Sequence, residues 1–234
     1  MSLRGDYNLA ASDFSVEQDW NSYSAGEHAL FRRLFERQST LVPRFACPEW
    51  IEAIASLDAG SGIPRFDQVS KKLRAKTGWE IVAVPGLIPD EAFFTHLANR
   101  RFPVTVWLRK PAEFDYIVEP DVFHDFFGHV PLLFDPVYAD HLHEYGKGGL
   151  KAMRLDAVKM LARLYWYTIE FGLIRTAAGI REHIGLDDVV ELRGLAQPYR
   201  DREPAVGEVG EKRVVRDESR NGDDFPAGSS AQLH

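Results

Sequence analysis

A mainly α fold with short β-strands is predicted for this chain of 234 residues, and three observations predict it. Apolar residues recur at helical intervals over most of the first 180 positions. Recognisable start and stop residues bracket those stretches, and only two short runs have the β-branched and aromatic character of strands.

Residues 1–24 are polar, with Tyr7, Phe14 and Trp20 scattered among Asp, Ser and Asn, and read as an arm laid over the body. Residues 25–57 are helical. Ser24 stands three positions before Glu27, the spacing of a capping box. Pro43 is expected to interrupt this stretch, and Pro48 to open a second helix through Trp50, Ile51, Ile54 and Leu57. A helix from Asp67 to Thr77 is closed by Gly78. The run Trp79-Glu-Ile-Val-Ala-Val is the first strand and ends at the turn pair Pro85-Gly86.

Asp90 is expected to cap a helix holding Phe93, Phe94 and Leu97, and residues 102–108 form the second strand. A loop follows from Arg109 to Pro120. Asp121 starts a short helix that Gly128 ends, and Tyr138 to Tyr145 form another before the loose Gly146-Lys-Gly-Gly. A long helix from about Met153 to Ile174 carries its apolar stripe at 155, 158, 161, 164, 165 and 169. Beyond residue 180 only Tyr199 and Phe225 are aromatic, charges crowd, and residues 200–234 have the composition of a disordered tail. The organisation read from this pattern is an arm (1–24), a catalytic domain (25–180) and a divergent tail (181–234).

Bulk chemistry narrows the function. A net charge of -7 without a basic stripe argues against nucleic acid as a partner. No apolar run reaches the length of a membrane span, and the first residues lack a signal-peptide core. The single cysteine, Cys47, excludes a disulfide framework and a cysteine-only zinc site and fits a cytoplasmic setting. With no heptad-bearing terminal helix, a monomer is expected.

The densest chemical signal is Glu119-Pro-Asp-Val-Phe-His-Asp-Phe-Phe-Gly-His-Val-Pro, which sets His124 and His129 five positions apart. On a regular α-helix that spacing leaves the side chains about 140° apart, so a break at Gly128 is needed to aim both imidazoles at one point. Without further residues, two histidines near a helix end are equally served by backbone carbonyls. Glu170 supplies the further residue. It sits among Trp166, Tyr167, Leu173 and Ile174, where a carboxylate is costly unless it protonates, binds a metal or pairs with an arginine such as Arg163 or Arg175. Two histidines and a carboxylate make the facial triad of iron(II) oxygen chemistry. Zinc is the competing metal, although hydrolytic zinc sites usually space their histidines four apart with a glutamate after the first, where this chain has Asp125.

The motifs Pro-Asp-x-x-His-Asp-x-x-Gly-His-x-Pro-Leu (120–132) and Tyr-Trp-Tyr-Thr-Ile-Glu-Phe-Gly-Leu (165–173) together resemble the catalytic core of the aromatic amino acid hydroxylases, and most of all the short bacterial phenylalanine hydroxylases. The likeness covers roughly residues 24–180. It implies hydroxylation of L-phenylalanine to L-tyrosine with iron(II), molecular oxygen and a reduced pterin, tetrahydrobiopterin. It also implies that His124, His129 and Glu170 hold the iron. Arg109 would grip the amino acid's carboxylate and Asp121 would orient the arginine, with Tyr116 and Trp166 walling the substrate side. Gly86, Leu87, Ile88, Asp90 and Phe93 fall at the pterin positions, and Asp125 and Tyr165 beside the metal. Taken singly, Arg109 and Asp121 read as a surface ion pair, Phe93 as core and Gly86 as a turn glycine.

Departure from the family begins at Arg181-Glu-His-Ile-Gly-Leu-Asp-Asp. The abrupt loss of likeness and of aromatic content is expected to mark a reading-frame change or a truncated, divergent end, with one wall of the substrate pocket lost. Two further readings therefore stay open: a chain that binds iron or pterin without efficient turnover, and a zinc hydrolase.

Overall fold

Ser24 starts the first helix as its spacing to Glu27 requires: the Ser24 hydroxyl accepts the Glu27 amide at 3.2 Å, and the Glu27 carboxylate accepts the Ser24 amide at 2.8 Å. A computed structural model describes residues 3–57, 59–170, 172–176 and 179–182. Helix α1 (Ala25–Phe45) runs two residues past Pro43 rather than stopping there. A proline this close to the end forgoes only one backbone hydrogen bond of the last turn, which the helix survives. Helix α2 (Pro48–Ser56) opens on its proline. Helix α3 (Phe66–Thr77) ends at Gly78 in the left-handed conformation, φ 77°.

Strands β1 (Glu80–Val84) and β2 (Arg101–Thr105) pair in parallel, Ile81 opposite Phe102 and Ala83 opposite Val104. Helix α4 (Asp90–Ala98) makes the crossover between them. Pro89, not Asp90, occupies its N-cap, and Asp90 is the first helical residue, where its charge favours the helix dipole. β2 is shorter than expected and tolerates Pro103 because neither strand of a two-stranded sheet has partners on both sides.

Helix α5 (Pro136–Arg154) passes straight through Gly146-Lys-Gly-Gly, so the expected loop does not exist. The glycines are packing residues. A Cβ at Gly146 would lie 2.6 Å from the Leu97 Cβ, and one at Gly149 would lie 1.9 Å from the Phe94 ring, so α4 and α5 approach only because both are bare. The single long helix expected over 153–174 is divided. Asp156 adopts φ 52°, α6 covers Val158–Tyr165, a π-helical turn covers Trp166–Glu170, and β3 (Leu173–Thr176) pairs antiparallel with β4 (Gly179–Glu182). The boundary expected near 180 thus falls within β4; residues 183–234, with the expected disordered tail, lie outside the described residues.

An aromatic cluster forms the core behind the site. Phe123 and Phe127 stack at 5.0 Å; Phe31 meets the first at 5.2 Å, and Phe35 and Trp50 meet the second at 5.7 and 4.8 Å. Residues 123–127 are thereby locked against α1 and α2.

Candidate active site

Residues His124–His129 form a π-helix, and Gly128 lies inside it instead of breaking it. In a π-helix the hydrogen bond runs from i to i+5, so residues five apart stack on one face. That removes the need for a break: the wider turn itself aims both imidazoles the same way. Their Nε2 atoms stand 3.4 Å apart, and both residues are buried. Glu170 arrives from the second π-helical turn. Its Oε1 lies 3.4 Å from Nε2 of His124, and its Oε2 lies 3.6 Å from Nε2 of His129. One donor atom from each residue falls within 4.8 Å of the others, the arrangement of a metal centre. A first-row ion with bonds of about 2 Å fits among donors so spaced. Two imidazoles and one carboxylate on one side suit iron(II) and leave the opposite side free for other ligands.

Asp121 organises the histidine side. Its Oδ2 accepts the Arg109 amide at 2.8 Å and Nε at 2.9 Å; its Oδ1 accepts Arg109 Nη2 at 3.0 Å and the His124 amide at 2.9 Å. Arg109 and Asp121 are not the surface pair that the two residues taken singly suggest, for their side chains are 1% and 0% exposed. A pair so deeply buried holds together because every bond is charge-assisted. Asp125 ties the same turn to the end of β2 by accepting the Thr105 amide at 2.8 Å, and burial pushes its carboxyl up to about 6.

The pterin positions form a continuous stretch between β1 and α4. Ile88 and Phe93 are buried, the Leu87 carbonyl accepts the Tyr7 hydroxyl at 2.9 Å, Gly86 has φ 155°, and Asp90 begins α4. Phe93 reaches the metal side through Tyr165, 6.0 Å between ring centres. Burial, and then the nearby Glu170 charge, raise the Tyr165 phenol well above its ordinary range. Its hydroxyl is buried without a hydrogen-bond partner among the described residues, so a bound ligand can satisfy it. Tyr116 is not drawn into this cluster; it is 56% exposed on the loop after Arg109. The Trp166 side chain lies outside what the structure describes, although its backbone begins the second π-helix.

Sequence reasoning missed Thr105 and Tyr138. A buried strand-end amide has no side-chain signature. Tyr138 is buried, and its phenol is raised first by burial and then by Glu170; only the apolar spacing of α5 hinted at it.

Fold and site together define a mononuclear, non-haem metal protein of the two-histidine, one-carboxylate kind. The family model for the biopterin-dependent aromatic amino acid hydroxylases matches residues 10–188, and the chain belongs to that family. The match begins inside the expected arm and extends past the expected break at 181. Among curated relatives, the phenylalanine-4-hydroxylase of Ralstonia nicotianae is 57% identical over 170 residues, covering 72% of this chain and 54% of that protein. That of Chromobacterium violaceum is 59% identical over 172 residues, covering 73% and 58%. The chain therefore spans a little over half the length of these relatives. A crystal structure of the Chromobacterium enzyme with iron and phenylalanine bound superposes with a TM-score of 0.70 at 56% identity, covering 75% of this chain and 63% of that one.

Proposed function

We propose that this protein hydroxylates L-phenylalanine to L-tyrosine, using iron(II), dioxygen and tetrahydrobiopterin. The convergence of His124, His129 and Glu170 on one point, with a buried arginine tied to the same helical turn, carries the reading. Iron(II) and the reduced pterin, when bound, supply the redox chemistry that activates oxygen: one oxygen atom enters the ring and the other is reduced at the pterin's expense. The chain's own residues do the rest. His124, His129 and Glu170 hold the ion and leave one side open. Arg109 offers its guanidinium to the amino acid's carboxylate, and Asp121 fixes that guanidinium while holding the His124 amide.

Gly86, Leu87, Ile88, Asp90 and Phe93 receive the pterin. Asp125 positions the histidine turn through Thr105, and Tyr165 lies between the pterin stretch and the metal. Tyr116 and Trp166 retain their proposed place on the substrate side. The protein works in the cytoplasm on small molecules alone, a reading supported by its acidic charge and its one buried cysteine, and a monomer is proposed with it because the sequence offers no heptad-bearing terminal helix. Family membership lends nothing to the zinc hydrolase.

The test is tyrosine formation from phenylalanine with added iron(II) and tetrahydrobiopterin, run in air and without oxygen, with tyrosine and tryptophan as alternative substrates. Product that requires oxygen, pterin and phenylalanine supports the reading. A chain that binds iron yet forms no product under any of these conditions supports the second reading, a binder without turnover, which the 54% and 58% coverage of its relatives keeps in view.

A further inference from the structure

We infer that the N-terminal segment Arg4–Tyr7 is a positioning element for pterin binding, with the Tyr7 hydroxyl pinning the backbone of the loop after β1. The inference rests on the pterin role proposed above for Gly86, Leu87 and Ile88.

That loop has no backbone ladder of its own. It belongs to no helix or strand, and Gly86 at φ 155° sits where only glycine is comfortable. Ligand recognition by loop backbone depends on where each amide and carbonyl points, so a contact that fixes one of those groups bears on binding. The arm is in contact along its length. Tyr7 donates to the Leu87 carbonyl at 2.9 Å. Gly5, at φ 94°, crosses Pro85 so closely that a Cβ would lie 1.8 Å from the Pro85 carbonyl oxygen. A Cβ on Gly86 would in turn meet the Arg4 carbonyl oxygen and the Tyr7 hydroxyl, each at 2.9 Å. Two glycines facing one another across this crossing are the condition for the contact.

The arm is itself held from the other side. The Arg4 guanidinium pairs with Glu113 and lies over the Trp107 ring at 5.0 Å, and the Arg4 amide donates to Glu119 at 3.2 Å. Glu113 and Glu119 belong to the loop that leads from Arg109 to Asp121. The segment therefore bridges the proposed pterin loop and the proposed substrate loop, and Tyr7 is its link to the pterin side.

Tyr7→Phe removes the link and keeps the ring. Binding of tetrahydrobiopterin and, separately, of L-phenylalanine is measured calorimetrically without oxygen on the full chain, with thermal melting and amide hydrogen exchange at residues 86–88. Loss of this half-buried hydrogen bond is expected to weaken pterin binding about threefold to tenfold. Phenylalanine affinity and the melting midpoint should stay put, and exchange at 86–88 should quicken. Leu9→Ala, an exposed neighbour (75%), should bind pterin as the wild type does. Unchanged pterin affinity in Tyr7→Phe, or equal losses for both ligands, would overturn the inference while leaving the pterin reading intact. A wild-type chain that binds no tetrahydrobiopterin would sink the pterin reading and this inference with it.

Discussion

The π-helix carrying His124 and His129 is enclosed on every side, whereas the one carrying Glu170 follows a helix with a bare face. All six residues of the first are buried, with an aromatic cluster behind them and Asp121 and Asp125 tying them to Arg109 and β2. On the helix before the second, Met160 and Leu164 are 73% and 48% exposed, and within the second Tyr167 is 74% exposed. Both halves use the same backbone device, and they differ in what supports it. The exposed side chains lie next to the carboxylate ligand and not next to the two histidines.

Substitutions can sharpen that contrast. The largest effect is expected for Asp121→Ala, which strands the buried Arg109 guanidinium. Removing one partner of such a pair costs about 3–5 kcal/mol, read as a lowered urea midpoint at constant slope. Next comes Gly149→Ala, which forces a methyl group against Phe94 and should cost about 1–3 kcal/mol by overpacking; thermal melting measures it. On the glutamate side, Tyr167→Ser changes an exposed residue and should shift stability by no more than about 0.5 kcal/mol. A loss as large as that of Asp121→Ala would mean the bare face is covered in solution, and the contrast would fail.

The smallest expected effect is a pH dependence at the arm. Asp13 is held down to about 2, first by the Ser15 hydroxyl and then by the Ser15 amide and Arg101. A depressed carboxyl contributes stability above its ordinary value of 3.8 and loses it as pH falls towards about 2. Asp13→Asn should therefore flatten acid destabilisation in that window, and melting curves across it would reveal no flattening if the pair were idle.

Much of the architecture was legible because it rests on local rules. The capping box at Ser24, the proline opening α2, the glycine closing α3 and the two short strands follow from residues within a few positions of each other. The misses have a common cause in tertiary packing. Gly146 and Gly149 look like a loop until Leu97 and Phe94 are known to lie against them. The π-helical turns, too, carry no propensity signature, so the five-residue histidine spacing set against α-helical geometry implies a break at Gly128 that does not exist. Residue types announced the three candidate ligands. The support of the histidine turn by the Thr105 amide, and of the proposed pterin loop by the arm's grip on Leu87, could not be announced, since each runs through a backbone group that no side-chain pattern encodes.

The centre itself is tested most directly by anaerobic calorimetric titration of iron(II) into metal-free wild type, His124→Ala and Glu170→Gln. One ion per wild-type chain is expected, with affinity lowered on the order of 10-fold to 100-fold or more in each variant, since even residues behind the ligands carry that much. Iron binding by Glu170→Gln with wild-type affinity would contradict a three-residue centre and leave Glu170 a buried carboxylate with some other partner.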